Sequence, residues 1–190
     1  MMDRKACLEI LRRHITEDQI VVGAYSTAND WIQLSDRPLD YYFFGAMGLA
    51  SSHALGLALA FPERRVVVLD GDGSLLMNLG TLVTIAAVAP KNLTHFVGHN
   101  GSYEANGGLP LPNRAVDLAG IARSAGIADT RDIRDLAEFE REVVGLLTRP
   151  GPVFADLWVE QGPIDARDYA GMYSVERRTA FREAVRRPQA

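Results

Sequence analysis

The sequence contains a single cysteine, Cys7, so no disulfide can form within the chain. It also lacks the paired Cys and His spacing of a structural zinc site, and we expect a reducing, cytoplasmic compartment. Basic residues are not in excess, because 20 Lys and Arg stand against 24 Asp and Glu. Nucleic-acid binding needs a concentrated basic face, so nucleic acid is not an expected partner.

A signal-peptide core and an unambiguous membrane span are missing as well. Residues 1–13 carry charges throughout and contain no long apolar run. The longest uncharged run, residues 41–62, reaches the length of a membrane span. It contains three glycines, two serines and a histidine, however, and this composition favours a helix packed inside an α/β domain. A membrane is therefore not an expected partner.

Short apolar runs alternate with longer helical patterns along the chain. This alternation predicts an α/β fold with a largely parallel central sheet and helices on both faces. The 190 residues suit one domain, residues 1–190. The predicted strands are residues 20–23, 41–44, 66–70, 94–99 and 153–159. The predicted helices are residues 3–14, 48–61, 75–88, 115–125, 135–147 and 174–185.

The strongest chemical signal is a glycine-flanked aspartate at the end of a predicted strand. Val66-Val67-Val68-Leu69-Asp70 runs directly into Gly71-Asp72-Gly73-Ser74, and a helix is predicted to follow. Ligands of open α/β sheets bind beyond the carboxyl ends of strands, and helix N-termini favour phosphate. Neither a GxGxxG pattern nor a P-loop lysine is present at this point. An Asp-Gly pair alone is most often a turn, so a second feature is needed.

That second feature is Asn100, which follows the next predicted strand, 28 positions after Asp72. One strand–helix–strand unit separates the two residues, so both side chains can emerge at the same edge of the sheet. An aspartate beside a phosphate is repulsive unless a cation bridges them, and Mg²⁺ prefers such oxygen ligands. The combination therefore predicts a site for a cation and a phosphate group.

These residues resemble the cofactor signature of thiamine diphosphate enzymes. Residues 41–112 are similar to the sulfopyruvate and phosphonopyruvate decarboxylases, and residues 71–86 to the beta subunit of the former. The resemblance implies the thiamine diphosphate-binding fold, with thiamine diphosphate and Mg²⁺ as cofactors. It implies that Asp72, Asn100 and the backbone carbonyl of Ser102 bind the metal. The implied cofactor-binding residues are Gly45, Ala46, Met47, Gly71, Asp72, Gly73, Ser74, Asn100, Ser102 and Tyr103.

Within the resemblance, Gly45 would accept a hydrogen bond from the aminopyrimidine, and Met47 would be an apolar wedge beneath the cofactor. Simple helix packing is the alternative for Met47. His99 stands where the family commonly has a first asparagine, and Tyr103 where the phosphonopyruvate enzymes often have histidine. We take His99, Tyr103 and Glu104 as candidate catalytic residues, although His99 could be only a strand-end residue. These departures leave the identity of the 2-oxo acid open.

The resemblance also implies a partner. The glutamate that activates thiamine diphosphate belongs to a pyrimidine-binding domain, and one domain accounts for all 190 residues here. We therefore expect the beta-type subunit of a decarboxylase of a small anionic 2-oxo acid, which works with a separate alpha subunit as a dimer or tetramer of alpha/beta units. A carboligase of the acetolactate synthase type and a non-catalytic regulatory module are the alternatives.

The polar residues after the first predicted strand also have two interpretations. They either line the cleft and contact the partner and substrate, or form a polar surface loop. These residues are Tyr25, Ser26, Thr27, Asn29 and Asp30.

Overall fold

The computed structural model describes residues 1–43, 46–162 and 169–187. In this part of the chain, six parallel strands form one sheet in the order β2-β1-β3-β4-β8-β7, and two very short strands, β5 and β6, form a hairpin. The strands of the sheet are β1 (Ile20–Ala24), β2 (Asp40–Phe43), β3 (Val66–Gly71), β4 (Leu93–His99), β7 (Asp129–Ile133) and β8 (Val153–Trp158). The hairpin consists of β5 (Ser102–Tyr103) and β6 (Leu109–Pro110).

Helices cover both faces of the sheet, as predicted. One core joins the sheet to α1, α2 and α7, and the other joins it to α3 to α6 and α9. The described helices are α1 (Arg4–His14), α2 (Tyr25–Leu34), α3 (Ala50–Ala60), α4 (Asp72–Leu76), α5 (Gly80–Val88), α6 (Leu118–Ser124), α7 (Leu136–Thr148), α8 (Tyr169–Met172) and α9 (Val175–Arg186), with a 3₁₀ turn at Glu104–Asn106.

The central strands are apolar at successive positions because both of their faces are buried. In β3, Val66 to Leu69 are at most 1% exposed, and their side chains alternate between the two cores. Such runs are typical of parallel sheets with helices on both sides. The fold class predicted from the sequence is confirmed.

Four local features differ from the sequence-based predictions or were not predicted. The predicted helix 75–88 is two helices, α4 and α5, with a turn between them. The polar stretch after β1 is helix α2, which excludes the surface-loop alternative and leaves the cleft alternative. Strand β7 was not predicted, because only Thr130 and Ile133 of its five residues are buried. The hairpin β5–β6 was not predicted.

The uncharged run of residues 41–62 is divided between strand β2 and helix α3, and α3 is only 11 residues long. Phe44, at the end of the predicted strand, lies outside the described residues. Within the described ranges, every helix is too short or too polar to cross a membrane.

The N-terminal segment is attached to the end of β8. Met2 forms a parallel bridge with Val159: its N–H donates to the carbonyl of Trp158 at 2.8 Å, and its carbonyl accepts from Glu160 N–H at 2.8 Å. Asp3 then caps α1 by accepting a hydrogen bond from the N–H of Ala6. The first turn of α1 is therefore held at the carboxyl edge of the sheet, beside the site described next.

Candidate cofactor site

A cleft of about 380 Å³ lies at the carboxyl ends of β1, β3 and β4. The sheet order places β1 beside β3, with β2 outside β1 and β4 outside β3. The chain therefore leaves these two central strands in opposite directions, which is where open α/β sheets bind ligands. The cleft is lined by Arg4, Ala24, Tyr25, Ser26, Thr27, Met47, Gly71, Asp72, Gly73, Ser74, Gly98, Asn100, Ser102, Tyr103, Glu104 and Ala105.

Asp72 is the buried acid of this cleft, with 2% of its surface exposed. Its two carboxylate oxygens accept hydrogen bonds from the N–H groups of Gly73 at 2.7 Å and Gly101 at 2.6 Å. Burial raises the pKa of Asp72 to about 6, although these two hydrogen bonds oppose the shift. A cation beside the carboxylate would offset the cost of burying its charge.

This burial predicts how the metal-free chain responds to pH. The pKa of Asp72 is higher in the folded state than its ordinary value of 3.8, so folding favours the protonated form. Stability contributed by Asp72 is therefore present at low pH and is lost as the pH rises from about 4 to above 6. The loss amounts to at most about 3 kcal/mol. We expect the unfolding free energy of the metal-free wild-type chain to fall more between pH 4 and pH 7 than that of Asp72→Asn, because the asparagine cannot ionise; its NH₂ group also leaves one of the two backbone N–H donors without an acceptor, which lowers its stability at every pH.

Urea unfolding of both chains at a series of pH values measures this difference. Asp132→Asn is the matched control, because Asp132 lies on β7 and is partly exposed to solvent. An equal fall in the unfolding free energy of both chains between pH 4 and pH 7 would contradict the assignment of a burial penalty to this carboxylate.

Asn100 and Ser102 complete an oxygen-rich cluster with Asp72. Asn100 Oδ1 accepts hydrogen bonds from both the N–H and the hydroxyl of Ser102, each at 2.9 Å. The carbonyl oxygen of Ser102 lies 3.5 Å from the point where a Cβ on Gly73 would sit. The hydroxyl of Ser102 can rotate away and free a lone pair on Oδ1. A carboxylate, an amide oxygen and a backbone carbonyl are the hard ligands that suit Mg²⁺.

The Gly71–Ser74 segment forms a close-fitting floor beside this cluster. A Cβ on Gly73 would lie 2.7 Å from Cδ1 of Tyr103, so only glycine fits without displacing the ring. On the other side, the first turn of α2 contributes Tyr25, Ser26 and Thr27 to the lining. Helix N-termini carry free N–H groups and a positive partial charge. The floor and the α2 terminus together suit an anion such as a diphosphate.

The segment before α3 is fastened to the same floor. The N–H of Gly48 donates to the hydroxyl of Ser74 at 3.0 Å, and the carbonyl of Gly48 accepts from Asn78 Nδ2 at 3.0 Å. Gly48 has a φ of 80°, which glycine adopts readily. Met47 lines the cleft next to this turn, whereas Ala46 is half-buried and is not among the lining residues. Gly45 lies outside the described residues.

The three candidate catalytic residues lie in different surroundings. Tyr103 and Glu104 line the cleft, but His99 does not. The buried ring of His99 stacks on Trp158, with 4.0 Å between the ring centroids. Its Nδ1 lies 3.0 Å from Asp156, and its Nε2 lies 3.1 Å from the carbonyl of Arg114. Burial alone would lower the pKa of His99, but the hydrogen bond and charge of Asp156 raise it. A catalytic role for His99 stays a prediction.

Sequence reasoning missed four lining residues, Arg4, Ala24, Gly98 and Ala105, of which only Arg4 is charged. Arg4 reaches the cleft from α1 and contacts Glu104, 100 positions further along the chain. Arg4 stands among other charged residues at the start of an ordinary amphipathic helix, and no local pattern distinguishes it. Arg4 reaches the cleft because the N-terminal segment is attached to the end of β8.

A parallel sheet with a central crevice, a strand followed by Gly-Asp-Gly-Ser and an asparagine after the next strand define a thiamine diphosphate-binding domain. Comparison with known families gives the same class. The family described as "Thiamine pyrophosphate enzyme, C-terminal TPP binding domain" matches residues 22–157. The chain belongs to this family.

Two curated relatives and one solved structure illustrate the similarity. A phosphonopyruvate decarboxylase of Streptomyces viridochromogenes is 36% identical over 188 residues, which cover 98% of this chain and 47% of that protein. The sulfopyruvate decarboxylase subunit beta of Methanothermobacter thermautotrophicus is 39% identical over 165 residues, 87% of this chain and 86% of that protein. A structure described as a thiamin diphosphate-dependent enzyme from Mycobacterium smegmatis superposes with a TM-score of 0.69 at 25% identity, covering 85% of this chain and 32% of that one.

Proposed function

We propose that this chain is the diphosphate-binding, beta-type subunit of a thiamine diphosphate- and Mg²⁺-dependent decarboxylase. The observation that supports the proposal is that Asp72, Asn100 and Ser102 line one cleft, in which Asp72 accepts from the N–H of Gly101 and Asn100 Oδ1 accepts from Ser102. The two curated relatives are named for phosphonopyruvate and sulfopyruvate. Both compounds are small 2-oxo acids with a second anionic group, and this shared chemistry supports the same substrate class here.

Each part of the cleft has a role in this proposal. Asp72, Asn100 Oδ1 and the Ser102 carbonyl hold Mg²⁺, while the backbone of Gly71 and Gly73 and the hydroxyl of Ser74 hold the diphosphate. Thiamine diphosphate, when bound, supplies the electron sink for loss of carbon dioxide from a 2-oxo acid.

The rest of the lining orients the ligands and excludes water in this proposal. Met47 supports the cofactor from the side opposite the floor, and Ala46 and Gly45 bind its pyrimidine end. Tyr103 covers the floor at Gly73 and presents its phenol to the substrate. Glu104 and His99 act from the periphery of the site.

The proposal of a partner subunit is supported by a surface that contains no charged side chains. Residues 46–61 and 73–90 contain no Asp, Glu, Lys or Arg. Helices α3 and α5 pack against each other and still expose large apolar side chains. An exposed apolar surface of this kind is typical of an interaction site. We call it the uncharged face; its exposed members are Leu49, Leu59, Met77, Val83 and Val88, which are 42% to 59% exposed.

The uncharged face adjoins the cleft. A Cβ on Gly48, the residue after Met47, would lie 3.1 Å from the Cβ of Met77. A subunit bound to this face would therefore reach the rim of the cleft, where the proposed cofactor needs its pyrimidine-binding half. A cytoplasmic location and a dimer or tetramer of alpha/beta units belong to the same proposal.

Placing a charge on the uncharged face tests the proposed partner. We expect Val83→Arg to prevent assembly with the pyrimidine-domain subunit, because the contact would bury an unpaired charge. Val144→Arg is the matched control, since Val144 is similarly exposed but lies on α7, across the sheet. Size-exclusion chromatography with light scattering compares the two complexes. Equal assembly of both variants would contradict an interface at α5.

Reconstitution tests the proposed activity. The chain and the pyrimidine-domain subunit are mixed with thiamine diphosphate and Mg²⁺, and carbon dioxide release is measured from several 2-oxo acids. We expect turnover by the complex and at least a hundredfold less by either subunit alone. Rapid turnover by this chain alone would refute the divided site. Release of an aldehyde product distinguishes the decarboxylase from a carboligase.

A further inference from the structure

Arg4 lies in a buried network of charges at one end of the cleft. Its side chain is 8% exposed, and its guanidinium makes a two-pronged ion pair with Glu104, at 2.5 Å and 3.0 Å. Its Nε also donates to Asp30 Oδ2 at 2.6 Å. Each of its three nitrogens is thus held by a carboxylate of the same chain. Arg4 is therefore unsuited to binding a substrate anion directly, although it lines the cleft.

The ion pair continues to the proposed cation site through Glu104. The same oxygen that accepts from Arg4, Glu104 Oε2, also accepts from Asn100 Nδ2 at 2.6 Å. An ionised carboxylate only accepts hydrogen bonds, so Asn100 must present its NH₂ group to Glu104. The amide oxygen of Asn100 then points the other way, towards Ser102. Glu104 thus decides which end of the amide faces the proposed cation.

Arg4 makes this arrangement possible. Glu104 is 5% exposed, and a buried carboxylate without a partner is strongly destabilised. A second buried acid, Asp72, bonds to Gly101, the residue that follows Asn100. Without the guanidinium, the Glu104 carboxylate would lose the two hydrogen bonds that hold it in the cleft and would turn towards water. This change removes the acceptor that fixes the Asn100 amide.

We propose that Arg4 is a positioning residue of the cation site: it holds Glu104 against Asn100 Nδ2 and thereby keeps Asn100 Oδ1 in the orientation of a ligand. The proposal rests on the proposed function, because Asn100 is a cation ligand only there. It gives Glu104 a role that acts through Asn100 and not on the substrate. Residues that orient metal ligands typically change metal affinity by about 10–100-fold when they are replaced.

The test measures Mn²⁺ binding to the complex of the chain with the pyrimidine-domain subunit in the presence of thiamine diphosphate, by the electron paramagnetic resonance signal of free Mn²⁺. We expect Arg4→Met and Glu104→Gln each to weaken Mn²⁺ binding by about 10–100-fold. Arg13→Met is the matched control on the same helix, because Arg13 is 60% exposed and pairs with Glu140 at the surface. It should bind Mn²⁺ as the wild type does.

The double variant separates positioning from simple packing. If Arg4 acts through Glu104, Arg4→Met should add little to the loss that Glu104→Gln already causes. Additive losses would mean that Arg4 supports the site by packing alone and would overturn the proposal. Unchanged Mn²⁺ affinity in a folded Arg4→Met chain would overturn it as well.

A replacement variant and the wild type itself complete the experiment. If circular dichroism shows that Arg4→Met does not fold, Arg4→Lys takes its place. Lysine keeps the positive charge but cannot form the two-pronged ion pair of a guanidinium. We expect its Mn²⁺ affinity to lie between those of the wild type and Glu104→Gln. Wild-type affinity in Arg4→Lys would then count against the proposal. A wild-type complex that binds no Mn²⁺ with thiamine diphosphate would refute the proposed function itself, which distinguishes the two failures.

Discussion

Replacing Asp72 with asparagine should reduce carbon dioxide release by the reconstituted complex by about 10²–10³-fold. The variant removes the only full negative charge among the three proposed cation ligands and keeps the size of the side chain. Loss of one partner from a buried charge pair costs about 3–5 kcal/mol, and the lower part of that range, about 3–4 kcal/mol, corresponds to about 10²–10³-fold. Turnover is measured at saturating thiamine diphosphate over a series of Mg²⁺ concentrations.

The stability of the same variant provides an internal control. The metal-free Asp72→Asn chain avoids the cost of the buried charge at neutral pH but loses one hydrogen-bond acceptor, so its urea unfolding is measured beside its turnover. A variant that stays folded under the assay conditions excludes unfolding as the cause of lost activity. Asp132→Asn changes an equivalent group on β7 and should retain full turnover. Near-normal turnover of Asp72→Asn at low Mg²⁺ would show that the cation is not held by this carboxylate.

Adding one methyl group to the floor of the cleft should also have a large effect. A Cβ in Gly73→Ala would lie 2.7 Å from the ring of Tyr103, closer than real Cβ contacts. Either the floor or the ring must shift, and a displacement of about 1 Å in a catalytic site can cost 10²-fold in rate. We expect Gly73→Ala to weaken thiamine diphosphate binding, measured by calorimetry, and to lower turnover by about 10²-fold.

A second substitution identifies the cause of that loss. Tyr103→Ala in the Gly73→Ala background removes the ring and should restore cofactor binding without restoring turnover, if the phenol contacts the substrate. Gly145→Ala on α7 is the matched control, because its new Cβ would meet only the end of the Arg149 side chain. If the double variant binds the cofactor as weakly as Gly73→Ala does, the steric explanation is wrong.

Much of the fold is predictable from the sequence, because burial on both faces of a parallel sheet leaves a strong pattern. The uninterrupted apolar run of β3 marks it as a central strand. The edge strand β7 reads Asp-Thr-Arg-Asp-Ile, and this polar sequence resembles a loop. Helix α2 is hidden for a similar reason, because Tyr25 to Asp30 are mostly polar and Thr27 and Asn29 are buried through tertiary contacts.

The candidate site, like the fold, is only partly predictable from the sequence. The meeting of Asp72 with the Asn100 segment follows from strand order alone, since the carboxyl ends of adjacent parallel strands share one edge. The orientation of the Asn100 amide does not follow, because it depends on Glu104 and on Arg4, 100 positions away in the sequence. Side-chain networks between distant elements leave no periodic signal. The residues of such a network can be identified only from the folded structure.

The bridge between Met2 and Val159 has a practical consequence for expression designs. Met1 is 65% exposed, so an affinity tag fused ahead of it has room to extend into solvent. Trimming as few as four residues, in contrast, would remove both the bridge and Arg4. A shortened protein that keeps its sheet and helices would still lack the residue proposed to position Asn100. Its inactivity would therefore not test the proposed function of the full chain.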